Sequence, residues 1–588
     1  MNLLKIILST SAFAIASVAL HAQLPTKVES FPVRDVRLTA SPFKHAEDMD
    51  IRYQLGIDPD RLLAPYLKEA GLFPKAENYT NWENTGLDGH IGGHYLSALS
   101  YMYAATGNQE IKVRLDYMIS ELKRCQDAAG DGYLCGVPNG RKMWKEIEEG
   151  NIRASGFGLN DRWVPLYNIH KMYAGLRDAT LQTGSKEAKE MLVKLTDWMI
   201  RLISKLSDEQ IQDMLRSEHG GLNETFADVA AITGDKRYLK LAHQFSHQTV
   251  LQPLLKQEDK LTGMHANTQI PKVIGFKRIA DLEGNRDWSE AARYFWETVV
   301  DHRSITIGGN SVREHFHPAD DFSSMLTSEQ GPETCNTYNM LRLTKMLYET
   351  SADAHLMDYY ERALYNHILS TQDPVQGGFV YFTPMRAGHY RVYSQPQTSF
   401  WCCVGSGMEN HARYGEMIYG HKDNNLYVNL FIPSTLRWGD IHIEQQTAFP
   451  DEEGTTLAVS PEKGEKEFTL LFRVPEWTNP EALRLSVNGE QQKVTVKEGY
   501  VSLNRTWSKG DKVRLELPMH LRAIALPDGS ANYSILYGPI VLAAQLGKQN
   551  QDGMFADDSR GGHIAAGPRL PLQTMPVMVG DKNDILSH

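Results

Sequence analysis

The residues best suited to chemistry stand in two short strings: Glu333-Thr334-Cys335 and, far downstream, the adjacent pair Cys402-Cys403. The chain has five cysteines, and three of them lie in these strings, with a carboxylate beside the first. Thiolates and a carboxylate make a tetrahedral oxygen and sulfur set that suits zinc. A fully ligated zinc leaves no open position for water, which points to a structural site. A zinc-held cysteine is also a stabilised thiolate, and a thiolate is a strong nucleophile. The strings therefore allow a metal alone, or a metal that activates a sulfur. They also allow two buried small apolar residues or a strained vicinal disulfide, because Glu-x-Cys with Cys-Cys is not a zinc-finger spacing.

Elements that must bring these strings together follow from the punctuation of the chain. From about Pro42 to Gly420, helix-length amphipathic segments recur and end alike: Ala105-Thr106-Gly107-Asn108, Gln182-Thr183-Gly184-Ser185, Ile232-Thr233-Gly234-Asp235 and Leu282-Glu283-Gly284-Asn285. Glu349-Thr350-Ser351-Ala352-Asp353 is a degenerate copy. Glycine suits the left-handed residue that closes a helix, and Asn, Ser or Asp caps the next one. Repeated helical hairpins build a solenoid or a closed ring. Short joints on one side and long loops on the other favour a toroid of the (α/α)6 type, spanning residues 23–423. Its long loops, Trp82 to Gly93, Glu218 to Glu224, His265 to Lys272 and Ile307 to Thr334, are where a site is expected.

Near Asn424 the pattern changes. Phe468–Val474, Leu483–Val487, Tyr500–Leu503 and Val513–Leu517 alternate as strands, and Asn488-Gly489 signals a hairpin. Residues 424–530 are expected to form an antiparallel β-sandwich, and 531–588 further β structure and a polar tail without a clear core. Val33–Thr39 also reads as a strand able to join a β domain.

Residues 1–22 read as an export signal, with Lys5, an apolar run from Ile6 to Leu20 and a cleavage point at Ala22-Gln23 or Ala19-Leu20. The run is too short to favour a permanent membrane anchor. A soluble periplasmic or secreted protein is expected. In an oxidising compartment Cys125 and Cys135 form a small loop disulfide or remain two buried thiols. A net charge of -11 argues against a nucleic-acid partner.

With these strings in place, the chain resembles the β-L-arabinofuranosidases of glycoside hydrolase families 127 and 146. The resemblance runs from about Phe31 to Gly547. It is carried by the Glu333/Cys335/Cys402/Cys403 set, Trp401-Cys402-Cys403, Leu87–Leu96, Trp163–Lys171 and Tyr360–Asn366. It implies a Zn2+ cofactor held by Glu333, Cys335, Cys402 and Cys403. Cys402 would be the nucleophile. Glu314, in Arg313-Glu314-His315-Phe316, would be the general acid/base, with Arg313 in place of the family's glycine. His170, His265, Glu361 and Tyr381 would contact the sugar. His90 and His94, four apart, are read as pocket-wall or core histidines.

The resemblance further implies an oligosaccharide or polysaccharide substrate and retaining hydrolysis. Glu314 as an acid needs a raised pKa, which a partly closed apolar pocket supplies. The alternatives are a relative with another unusual pectic sugar in its pocket, or a non-catalytic carbohydrate-binding protein with a structural zinc. A toroidal polysaccharide lyase would need basic groups around a uronate, and no obvious set is present.

Overall fold

Six helices form an inner ring in the computed structural model, which describes residues 23–576 and residue 586. The proposed export segment lies outside the described residues. The ring runs His90–Thr106, Pro165–Thr183, Leu222–Thr233, Ala266–Glu283, Thr334–Ser351 and Cys402–Asn410. Each helix packs on the next, and the last packs on the first and closes the toroid. These helices are buried almost all round; every residue of Cys402–Asn410 is buried. Six outer helices back them: Pro42–Gly56, Gln109–Ala129, Lys186–Ile203, Lys236–Gln244, Arg286–Arg303 and Ala354–Ala363. Gln109–Ala129 is typical of the outer layer. It buries Ile111, Leu115, Met118, Ile119 and Leu122, the three-and-four spacing of one helical stripe.

The repeated joints turn inner helices into outer ones. Gly107, Gly184, Gly234 and Gly284 close their helices at φ between +70° and +75°. Asn108, Ser185, Asp235 and Asn285 then accept backbone N–H groups at the start of the next helix. Ala352 takes the same role at φ +57°, a costlier conformation for a residue with a Cβ. With these joints at one end of the ring, the N-termini of all six inner helices face the other end. Their positive dipole ends converge there.

Residues from Tyr419 onward form two packed sheets. The six-stranded sheet joins Glu29–Ser30, Tyr419–Lys422, Asn425–Val428, Lys466–Arg473, Tyr500–Trp507 and Val496–Lys497. The seven-stranded sheet includes Ser434–Trp438, Ile441–Gln446, Thr455–Pro461, Arg484–Val487 and Asp511–Glu516. Pairing is antiparallel except between Asn425–Val428 and Lys466–Arg473, which run parallel. Asn488-Gly489 makes the expected hairpin, both residues at positive φ. The N-terminal strand is shorter than the alternation suggested. Asp35 donates its N–H to the Pro32 carbonyl and turns Val33–Asp35 into a 3-10 helix. Val36–Leu38 then pairs with Ser434–Leu436. A hairpin sheet of Leu521–Ala525, Tyr533–Tyr537 and Ile540–Val541 follows. No described helix is long and apolar enough to cross a membrane.

Candidate active site

Glu333, Cys335, Cys402 and Cys403 come together at the N-terminal end of the ring. Each offers a ligand atom within 4.8 Å of the others, and all four are buried. Two helix starts deliver them. Glu333 caps Thr334–Ser351, so Cys335 lies in its first turn, and Cys402-Cys403 are the first two residues of Cys402–Asn410. Two close approaches fix these starts. A Cβ on Gly405 would lie 2.3 Å from the His94 ring, and one on Gly331 would lie 2.2 Å from the Thr383 carbonyl oxygen. The second allows Thr334 to donate its N–H to the Tyr381 carbonyl, 2.9 Å away.

The donor set fits a divalent cation. Cys335 and Cys403 sulfurs are 3.0 Å apart, and Cys402 and Cys403 approach a Glu333 oxygen at 3.8 and 3.7 Å. The other Glu333 oxygen is buried without a hydrogen-bond partner. Burial, then the nearby Cys402 and Glu314, push the Glu333 carboxyl well above the usual range. The Cys335 contact raises Cys402, and burial raises Cys403. Cys335 alone comes down, to about 7, because its neighbours' hydrogen bonds outweigh burial. Four acidic groups crowded out of water need a positive charge to ionise, and the convergent helix dipoles supply only part of it.

Above the cluster lies a cavity of about 490 Å3. Cys402 and Glu333 reach it from the floor. Glu314, His265 and Tyr381 stand on its wall, with Trp82, Phe157, Trp163, Tyr167, Glu218 and Asn267 around them. A larger apolar cavity at Ile305, Leu526 and Ile540 holds none of these groups. Glu314 is presented by a strained loop: Ser311, Arg313 and Glu314 all have positive φ, at +77°, +49° and +68°. Such strain is commonly stored at functional sites. A glycine at 313 would take that conformation freely. The loop is clamped by Val312 and His315 exchanging backbone hydrogen bonds, and by Ala266 N–H donating to the Glu314 carbonyl at 2.7 Å.

The acid/base expectation needs one correction. Burial does favour protonating Glu314, but His265 and the Tyr381 hydroxyl outweigh it and hold Glu314 down at about 2. Tyr381 donates to Glu314 at 2.5 Å, and His265 Nε2 lies 3.7 Å away. Against the pull of burial, Glu314 and Glu218 raise the His265 pKa. The free pocket thus favours the ionised form of Glu314, while His265 Nδ1 accepts the Thr268 N–H at 3.3 Å. Glu218, on the same wall, is raised by burial.

The family description "Beta-L-arabinofuranosidase, GH127 catalytic domain" matches residues 35–416. This chain belongs to glycoside hydrolase family 127. It is a glycoside hydrolase. The family's middle domain matches residues 425–519, and a domain of unknown function matches 522–588. Among solved structures, a family 127 β-L-arabinofuranosidase from Geobacillus stearothermophilus T6 is similar at 21% identity and a TM-score of 0.68, covering 86% of each chain. A second, the family 127 β-arabinofuranosidase BT3674, is 20% identical with a TM-score of 0.68, covering 88% of this chain and 85% of that one. A comparison with curated proteins gave no match.

In this family 127 enzyme, two expected sugar contacts lie elsewhere. Glu361 is 1% exposed at the seam with the β-sandwich. It accepts from Arg473 at 2.5 Å and from the Trp477 indole at 2.8 Å. Arg473 also pairs with Asp358 at 2.5 Å. A helix carboxylate at 361 therefore neutralises a buried arginine rather than reading a sugar. Glu361→Ala should cost about 1–3 kcal/mol of stability, because it removes one of the two carboxylates on Arg473 and the acceptor of the Trp477 indole. A denaturation midpoint will show the loss, while sugar affinity in the folded fraction stays as it was. His170 is buried behind the wall, against Gly220 and Gly221, and burial drives its pKa well below normal.

His90 and His94 are core histidines. His90 meets Glu83 at 2.8 Å, and His94 meets Glu409 at 2.6 Å. Cys125 and Cys135 are free buried thiols, both pushed up to about 12 by burial.

The tail supplied what the sequence did not foretell. Residues after Lys548 return across the toroid, and Arg560, Gly561 and His563 line the pocket. Nothing in their local pattern marks them as pocket residues, because what brings them there is contact with distant Asn81, Trp82 and Trp163.

Proposed function

We propose that this is an exported, retaining β-L-arabinofuranosidase that releases L-arabinose from plant glycans. The observation that carries this reading is the meeting of Cys402 and Glu314 in one pocket, each within 4.8 Å of the Glu333 carboxylate. The cluster chemistry supports Zn2+ on Glu333, Cys335, Cys402 and Cys403, where the ion would keep the sulfurs as thiolates at neutral pH. Cys402 is the cluster sulfur that lines the pocket.

In the first step Cys402 attacks the anomeric carbon, a carbon–sulfur bond forms, and the bond to the leaving oxygen breaks. Glu314 delivers a proton to that oxygen. A sugar that displaces water from Glu314 would raise its pKa, so that the carboxyl itself carries the proton it gives. In the second step Glu314 takes a proton from water, the water oxygen attacks the same carbon, and the electron pair returns to sulfur. Two inversions leave the configuration unchanged. Tyr381 keeps the Glu314 carboxylate aimed while the proton moves. Lys5 and the apolar run that follows support export.

The test is a panel of aryl L-arabinofuranosides of both anomers, with metal analysis of the same sample. Cleavage of the β anomer and about one zinc per chain are expected. Cleavage of the α anomer alone, or full activity in protein carrying no zinc, contradicts the reading. Preference for another pectic sugar would leave the chemistry and change the substrate.

A further inference from the structure

The C-terminal segment, residues 552–570, belongs to a region matched only as a domain of unknown function. It is tied to the catalytic domain along its whole length. Tyr393 N–H donates to the Met554 carbonyl at 2.8 Å, and Ala556 N–H donates to the Tyr393 carbonyl at 2.9 Å. The Asn81 amide donates to Ser559 O at 2.5 Å, and the Trp82 indole to Arg560 O at 3.0 Å. Further along, Gly567 N–H donates to the Tyr390 hydroxyl at 2.6 Å, and Arg569 pairs with Glu329 at 2.8 Å.

These anchors place two side chains on the pocket. The Arg560 guanidinium carbon lies over the Trp163 ring, 3.9 Å from its centre. It is the one Lys or Arg among the residues lining the pocket. Among the described residues it has no carboxylate partner, so its fork of N–H donors is open to a ligand. His563 packs on Tyr381 with ring centres 4.4 Å apart. The direction of the substrate follows from the site. A sugar whose anomeric carbon meets Cys402 on the floor must place its leaving oxygen near Glu314, whose side chain is 32% exposed. The rest of the glycan then leaves past Trp82, Phe157, Trp163 and Arg560. The cavity volume suits a ligand larger than one sugar ring.

We infer that residues 552–570 complete the active site, and that Arg560, steadied on Trp163, forms the subsite for the glycan residue on the leaving side. It donates a planar pair of hydrogen bonds to that residue's hydroxyls or carboxylate. This rests on the glycosidase reading above. A cation on an aromatic face keeps its edge free for such a pair, and arginine does this better than lysine.

The test uses the full-length, zinc-loaded Glu314→Gln protein as parent, whose turnover is slowed enough for binding to be titrated before hydrolysis. Its affinity is titrated for L-arabinose and for two arabinofuranosyl disaccharides, one with a neutral leaving residue and one with a uronate. Adding Arg560→Ala should weaken disaccharide binding by about tenfold or more. L-Arabinose, which fills only the inner half, should change by less than about twofold. Loss for both disaccharides assigns the contact to hydroxyls, and loss for the uronate alone assigns it to a carboxylate. Equal loss for L-arabinose, or no loss for either disaccharide, overturns the subsite. A parent that binds none of the three sinks the glycosidase reading, and the subsite with it.

Discussion

Cys402→Ser is expected to abolish turnover while the protein stays folded. The two adjacent cysteines enter the cluster from the same helix turn, yet only Cys402 lines the pocket. A serine hydroxyl at 402 is neither ionised nor comparably nucleophilic near neutral pH. A free thiol, with a pKa of ~8.5, would also be mostly protonated there, so the cluster has to supply the thiolate. Cys403→Ser should behave differently. Cys403 is 0% exposed and does not line the pocket, so its loss acts through weaker metal binding, and excess zinc should restore part of the activity. Steady-state rates with and without added zinc separate the two variants. Full rescue of Cys402→Ser by zinc would contradict the roles assigned here.

Glu314→Gln should reduce turnover of natural glycans by about 10²–10⁴-fold, the usual scale of general acid/base catalysis. An amide keeps an oxygen for the Tyr381 hydrogen bond but carries no proton to give. A substrate with a very acidic leaving group needs no such proton, and its glycosylation step should be partly rescued. The measurement is kcat/KM across leaving groups of graded acidity. The slope should be much steeper in the variant than in the parent. Near-full activity on glycans would move the acid role to Glu218. That residue shares the wall, and its carboxyl is raised by burial while Glu314 is held low. Two carboxyls pushed apart in this way often divide the acid and base roles. Glu361 is removed from contention by its pairing with Arg473.

Metal affinity should fall as the pH is lowered, which zinc titrations at a series of pH values will show. Three thiols and a carboxyl must lose their protons to bind a cation, and burial favours the protonated forms of Glu333 and Cys403.

Much of this was legible in the sequence because it is local. Gly107, Gly184, Gly234 and Gly284 each need a left-handed residue followed by a cap, and that chemistry is written in adjacent positions. Asn488-Gly489 is legible for the same reason. The Glu333/Cys335/Cys402/Cys403 cluster was visible because cysteines are scarce in the chain, so three of them near one carboxylate stand out. Trp82 and Glu218 fall within loops that the sequence marked, although neither was singled out.

What was hidden depends on partners far away. Glu361 looks like a helix-face carboxylate until Arg473 arrives from the β-sandwich. His170 looks like a pocket histidine until the Gly220-Gly221 turn covers it. Arg560 and His563 sit in a stretch with no periodicity, and only its return to Asn81, Trp82 and Tyr393 gives them a role. The low pKa of Glu314 is likewise a property of His265 and Tyr381, not of its own string.

The central claim is that a sulfur, not a carboxylate, bonds to the sugar. The direct measurement is covalent labelling of the zinc-loaded protein with an arabinofuranose-configured electrophile, followed by peptide fragmentation. The account predicts one adduct, on the Cys402 sulfur. An adduct on Glu314, Glu218 or another carboxylate would contradict it.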